Sequence, residues 1–289
     1  MQIILNGLVS GFAIALLAIA FQLVYLPTKV FFIGLAGLYS LAPYLFLASR
    51  HVFESPSGAV ISSLATIVTV ALLMEFANHA PLARKGASEG AQLIASLGLY
   101  IVLVQGIAMI WGNDTQTLRT GLDATARFGD TVLTQSQLLT GGVAAILQLG
   151  LLAMLHLSGI GLRLRALADN PTQFALYGYN VDAHRLIAFA LAGVFATAAS
   201  LLTAHDISFD PHTGLHATLL AVVAVIIGGR TSFHGPIVGA LILGIIRAQV
   251  VWHFSARWQE AVTFAVLAFF LLLRPEGLFG QKTRIDATA

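Results

Sequence analysis

His205, Asp206, Asp210, His212 and His216 lie close together in an otherwise apolar part of the chain, and imidazole with carboxylate is a donor set that can hold a metal ion. Their spacing matches no compact zinc pattern, and the chain has no cysteine to complete one. A solvated, hydrogen-bonded loop is the simpler reading, and no metal site is expected. Neither a His-Glu-x-x-His pair nor a Gly-x-x-x-x-Gly-Lys-Ser/Thr loop occurs and no Gly-x-Ser-x-Gly elbow is expected, so the chain is not expected to hydrolyse a nucleotide or to act as an enzyme. Nine histidines therefore do not make a catalyst by number alone.

Arg247 is a different case, because it interrupts an apolar run. A guanidinium inside a membrane costs about 2.5–3.5 kcal/mol on insertion scales, so it must face water or a partner. It can contact an anionic or carbonyl group along a pathway or on a neighbouring subunit. It can also snorkel or pair with Glu260 or an acidic residue of a partner. Glu75 is expected to pair with Arg84 or Lys85. Gly228, Gly229, Gly235, Gly239 and Gly244 surround Pro236, a poor composition for a plain helix. In lipid such backbone survives only where protein or a watery cavity satisfies it, so a re-entrant turn or a close helix crossing is expected. Gly235 and Gly239 have the small-xxx-small spacing that lets helices approach. Gly34, Gly37 and Pro43 interrupt a second apolar run, and Asp210-Pro211 to Gly214 form another break. Such breaks either line a path or only pack.

The stretch Leu164–Asn180, LRALADNPTQFALYGYN, is polar and capped where its flanks are apolar. Asp169 or Asn170 can accept from the first free amides of a helix, and Pro171 suits its first position because the missing N–H has no partner there. A short helix from Pro171 to about Tyr177 is expected, stopped by Gly178 in the left-handed conformation. An element of this length is not stable alone in water and needs packing. It is either an amphipathic connector on the bilayer or a docking helix for another protein.

These features need a frame. The chain has 289 residues, 57% hydrophobic and 10% charged, with mean hydropathy +0.86. A soluble domain carries about 25% charged residues, so hydrocarbon must be part of this chain's solvent. The expected fold is all-α, a polytopic transmembrane bundle forming one membrane domain over residues 1–289. Candidate spans are 3–26, 30–49, 58–77, 91–111, 138–157, 186–204, 214–229, 235–254 and 258–273. The seventh is short and the second broken, so eight or nine crossings fit. The first lacks a basic n-region and reads as a retained span. The net charge of +2 gives no reason to expect nucleic acid.

With nine spans, one set of loops holds Lys29, Arg84, Lys85, Arg163, Arg165, Arg185, Arg230, Arg274, Lys282 and Arg284, and the other holds Arg50, Arg119, Arg127 and Arg257. Short basic loops stay cytoplasmic, so the N-terminus is expected outside, the C-terminus inside, and the capped stretch, within a loop of about 158–185, inside.

Arg165-Ala-Leu-Ala-Asp-Asn-Pro followed by Ala175-Leu-Tyr-Gly resembles the cytoplasmic loop of permeases of branched-chain amino acid ABC importers, the LivH/LivM family. Glu75 with Pro81-Leu82, Ala95-Ser-Leu-Gly98, the glycine run from Gly228 to Gly244, and Arg274-Pro-Glu-Gly-Leu-Phe-Gly280 are similar to further family motifs, in the same order. The resemblance covers nearly the whole chain. It departs at Phe32-Ile-Gly-Leu-Ala36, where the family's Asn and His are absent, at Leu220, where a lysine is common, and at Arg247, where relatives often have Glu.

The resemblance implies a bacterial inner-membrane importer of amino acids or a related small polar solute. It implies separate ABC ATPase subunits carrying ATP and Mg, with no cofactor on this chain. A second permease subunit, an extracytoplasmic substrate-binding protein and surrounding lipid complete the implied partners. Arg165, Asp169, Asn170, Pro171, Ala175 and Gly178 would couple to the ATPase, and the glycines with Arg247 would line the path or pack helices. The competing class is a secondary transporter or channel driven by an ion gradient, which would work from this chain alone; an intramembrane enzyme would need a convergent catalytic set.

Overall fold

The computed structural model describes residues 1–53, 55–119, 124–128 and 131–280; Lys282 and Arg284 lie outside them. Helix α1 (Gln2–Thr28) forms the axis of a helical bundle. Every residue from Ala15 to Val24 is buried, as expected of a helix that is apolar all round. Around it stand α9 (Val181–Asp206), α10 (Thr213–Gly228), α11 (Gly235–His253) and α6 (Gln135–Leu157). Outside these lie α2 (Gly34–Arg50), α3 (Pro56–Met74), α5 (Glu89–Trp111) and α12 (Gln259–Leu273). The only polar side chain in the buried stretch of α1, Gln22, donates to the carbonyls of Arg230 and Ser232, both at 2.9 Å, and so satisfies the turn between α10 and α11.

Among the described residues seven helices are long and apolar enough to cross a membrane, and α10 is a shorter apolar one. Helix α2, at 17 residues, is about 25 Å long and also falls short. The bundle of about eight spans agrees with the expectation, with adjustments. The third span does not end at Ala77: a π turn, Glu75–His79, carries it into α4 (Ala80–Arg84), and this widened turn lies just before Pro81. The sixth begins at Val181 rather than near Arg185, because Asn180 caps it. Gly112–Gln137 contains an antiparallel pair, Thr125–Phe128 with Thr131–Thr134, in a register that sets Thr125 opposite Thr134, so a small two-stranded ladder precedes α6. Thr134 then forms a capping box with Gln137 and starts α6.

The breaks in the helices are satisfied locally. Pro43 has no N–H to offer the carbonyl of Tyr39 one turn earlier, and Ser200 of α9 donates to that carbonyl at 2.6 Å instead. The second expected break meets the first, since the N–H of Gly214 donates to Ser40 Oγ at 3.0 Å.

The glycines from Gly228 to Gly244 form a close crossing, not a re-entrant turn. Helices α10 and α11 are antiparallel neighbours. A Cβ on Gly239 would meet the carbonyl oxygen of Ala224, and Gly228 and Gly235 press on each other's backbone. Gly244 packs on Gly7 and Gly11 of α1. Gly7-Leu-Val-Ser-Gly11 is itself a small-xxx-small pair that the sequence reading passed over. Gly239→Ala should destabilise the purified protein by about 1–3 kcal/mol, because backbone must move. Gly142→Ala, where the added carbon meets open space, should gain up to about 1 kcal/mol from helix propensity. Paired thermal melts in detergent check the contrast.

Candidate functional site

Two polar regions stand at opposite ends of the bundle. At the first, Ser158 ends α6 and starts α7 (Gly159–Asp169): its Oγ donates to the carbonyl of Met154 and accepts from the N–H of Gly161. Gly161, Leu164 and Leu167 turn inward, while Arg163 is exposed. Asn170, not Asp169, is the cap of the next helix, α8 (Pro171–Leu176); its Oδ1 accepts from the N–H groups of Thr172 and Gln173, both at 3.0 Å. Asp169 is the last residue of α7. Gly178 has φ +84°, the left-handed value that ends the element, and Asn180 caps α9.

A helix of six residues cannot hold itself, and packing does so here. Phe174 is its one buried side chain, stacked on Tyr179 at 5.1 Å between centroids and edge-on to His184 at 5.0 Å. Arg163 lies over the Tyr179 ring at 5.2 Å. Pro171, Ala175, Leu176, Tyr177 and Gly178 are exposed, Leu176 at 82% and Tyr177 at 81%. Arg165 is half-buried, with its Nε enclosed and lacking a partner among the described residues. Asn170→Ala should cost about 1 kcal/mol locally, seen as faster amide exchange over Thr172–Tyr177 with the rest of the bundle unchanged.

Behind this knob is a buried ion pair. Arg185, one turn into α9, grips Glu75 with two contacts, Nε to Oε1 at 2.5 Å and Nη2 to Oε2 at 3.2 Å, and the side chains are 9% and 1% exposed. This corrects the expected pairing of Glu75 with Arg84 or Lys85. Arg84 lies beyond, in the open, and binds Asp182 at 2.7 Å. Both contacts tie the start of α9 to the end of α3 and α4. His79, fully buried, packs edge-on to Phe32 at 5.5 Å and against Phe189 at 5.6 Å, filling the space beside the pair. Gly34 donates its N–H to Ser96 Oγ and Gly37 packs on Leu103, so both belong to the packing of this half. Gly229 (φ +111°) packs against Phe279 and Gly280 of the C-terminal motif.

At the other end, α1, α6, α9, α10 and α11, with Tyr39 of α2 and Gln259 of α12, surround a cavity of about 620 Å³. Asn6, Ser10, Tyr39, Thr203, His216 and Arg247 give it a polar wall. Gly244 and Arg247 are the two residues of the expected path that line it; Gly34, Gly37, Gly228, Gly229, Gly235 and Gly239 do not. Leu220, a departure from the family pattern, is on the same wall, whereas Phe32–Ala36 is not. Arg247 does not pair with Glu260: its Nη1 donates to Thr263 Oγ1 at 3.0 Å, and Glu260 instead meets His216 at 3.3 Å.

The remaining polar residues of this end make separate contacts. His205 Nδ1 meets Ser136 Oγ at 3.0 Å, and Asp210 Oδ1 accepts from the N–H of His212. Among the described residues no group of three or more His, Asp or Glu side chains is placed to hold a metal. One motif escaped the sequence reading: Gly86-Ala-Ser-Glu-Gly90 has the Gly-x-Ser-x-Gly spacing of a hydrolase elbow. Ser88 only caps α5, its Oγ accepting from the N–H of Ala91, and the turn joins two helices rather than a strand and a helix.

A bundle with a capped knob at one end and a polar cavity at the other suits a transport protein, and comparison with known proteins decides the family. Residues 3–271 match the family model for the permease component of the branched-chain amino acid transport system. The chain belongs to that permease family. It is 25% identical to the high-affinity branched-chain amino acid permease BraD of Pseudomonas aeruginosa, and 23% identical to LivH of Escherichia coli. Each alignment covers 97% of this chain and 96% of the relative. The ribose import permease RbsC of Escherichia coli is 29% identical over 75% of this chain and 73% of its own. The permease is therefore a multi-pass membrane protein and a transport subunit rather than an enzyme. Its eight described loop-end cations, Lys29, Arg84, Lys85, Arg163, Arg165, Arg185, Arg230 and Arg274, gather at the end that carries the knob.

Proposed function

We propose that the permease is the membrane subunit of an ATP-driven importer in the bacterial plasma membrane, taking up a branched-chain amino acid or a related small polar solute. The knob Pro171–Gly178 is the coupling element that the ATPase subunits grip. Its exposed apolar tip carries this reading, because Leu176 and Tyr177 project at the polar end of a membrane bundle, where an isolated chain leaves them uncovered. Basic loops at that end favour the cytoplasm, which puts the N-terminus outside and the C-terminus inside. The cavity then opens on the exterior side, where a substrate-binding protein delivers solute, and a second permease subunit completes the pathway.

The chemistry of ATP and Mg belongs to the ATPases. This chain's task is to have two states that the ATPases bind unequally, since only differential affinity shifts an equilibrium. Motion at the knob reaches α9 through Asn180 and the α3–α4 segment through the Glu75–Arg185 pair. Proteoliposomes holding the permease with its ATPases, second permease and binding protein should show vanadate-sensitive, ATP-dependent uptake of radiolabelled L-leucine. Uptake by this chain alone, driven by an ion gradient without nucleotide, would overturn the assignment.

A further inference from the structure

Arg247 is held in a way that leaves most of its hydrogen-bonding capacity open. It lies in α11 six residues before His253, about 9 Å from that end of the helix, and is half-buried on the cavity wall. Among the described residues it forms no ion pair, and Thr263 is its only hydrogen-bond partner. The hydroxyl hydrogen of Thr263 is committed to the carbonyl of Gln259 at 2.7 Å. Its oxygen can therefore only accept from Arg247, which fixes one edge of the guanidinium. A guanidinium has five donors in a planar fork, so most of them are unspent in a residue that lines the cavity.

Among the described residues no side chain of the wall forms an ion pair with that cation. Asn6 and Ser10 from α1, Thr140 from α6 and Thr203 from α9 are uncharged. His216 of the wall meets Glu260, which lies outside the lining and whose charge also acts on Arg247 without forming an ion pair with it. Asp206 at the end of α9 also lines the cavity and has an interaction of its own, so it is not a free carboxylate. A cavity of about 620 Å³ is in the size range of small-molecule sites. An unspent fork beside uncharged polar groups matches a planar, bidentate anion.

We propose that Arg247 is a carboxylate subsite that receives the anionic end of a small solute in the cavity. The inference rests on the permease reading. It adds that the path discriminates by charge, favouring a solute with a free carboxylate over a neutral sugar or amide of similar size.

The chain has no cysteine, so a single Ser10→Cys substitution on the cavity wall provides a unique thiol in this subunit. The full complex in zwitterionic vesicles is labelled from outside with a small thiol reagent, and labelling of this subunit is followed with three probes: L-leucine, isovalerate, which keeps the carboxylate and lacks the ammonium, and leucinamide, which keeps the ammonium and lacks the carboxylate. Leucine and isovalerate should slow labelling, by about tenfold at ten times their Kd, and leucinamide should not. Arg247→Gln should abolish the protection and Arg247→Lys should keep part of it. Equal protection by leucinamide, unchanged protection in Arg247→Gln, or no protection by either carboxylate would overturn the subsite. The probe comparison needs no change at Arg247, so misfolding of a variant does not decide it. ATP-dependent uptake by the unsubstituted complex is measured in parallel: its absence counts against the permease reading, and its presence without protection counts against the subsite alone.

Discussion

Arg185→Met should be among the most damaging single changes in this protein. It leaves the Glu75 carboxylate, 1% exposed, without its cation in a site that water does not reach. Removing one partner of a buried pair costs about 3–5 kcal/mol, whereas replacing both with apolar groups of similar volume is often neutral. The double variant Glu75→Leu with Arg185→Met should therefore recover most of the thermal stability lost by the single one, as measured by melting in detergent. Transport should separate the two roles of the pair. If it also transmits force between α9 and the end of α3, the double variant will melt normally and still couple ATP turnover to uptake poorly. Normal coupling in a stable double variant would reduce the pair to a structural tie.

At the knob the expected pattern is the reverse, a large functional effect with little change in stability. Ala175 is exposed, and surface substitutions of this kind change little, so Ala175→Asp should alter stability by no more than about 0.5 kcal/mol. If the ATPases grip this surface, a charge there weakens coupling by the scale of allosteric free energies, about 1–3 kcal/mol, or about 5- to 150-fold in uptake per ATP hydrolysed. Gly178→Pro acts through the backbone, because φ of +84° is closed to proline, whose ring holds φ near −65°. It should shift the turn, change the angle of α8 and abolish uptake while membrane insertion stays normal. Unaltered ATPase association and uptake in both variants would refute the docking role.

Much of this architecture was legible in the sequence because lipid imposes a strict composition. Length and apolarity marked the long spans, and Asn170, Pro171 and Gly178 marked the knob, since each meets a local backbone need that residue type alone reveals. What stayed hidden depends on which residues meet across the bundle. Glu75 has basic residues nearer in sequence than Arg185, and only the packing of α3 against α9 shows which is reached. The strand pair within Thr125–Thr134 has too few residues to give a periodic signal, and Gly7 and Gly11 sit in a helix that looked complete without them. Of the cavity only Gly244 and Arg247 were legible, because its polar wall comes from seven helices, each supplying one or two residues.

The burial of α1 bears on how such a molecule is assembled. Domains and helices nearer the N-terminus are synthesised first, yet the neighbours that enclose α1 from Ala15 to Val24, above all α9 and α11, arrive in the second half of the chain. Until then this helix must wait in the bilayer with its future interior facing acyl chains. Its makeup tolerates the delay, because Gln22 is its only polar side chain between Ala15 and Val24 and that residue lies near one end, within reach of the headgroups. The centrepiece of the finished protein is thus also a competent lodger in raw lipid, and a charge placed midway along it would endanger biogenesis before it ever troubled transport.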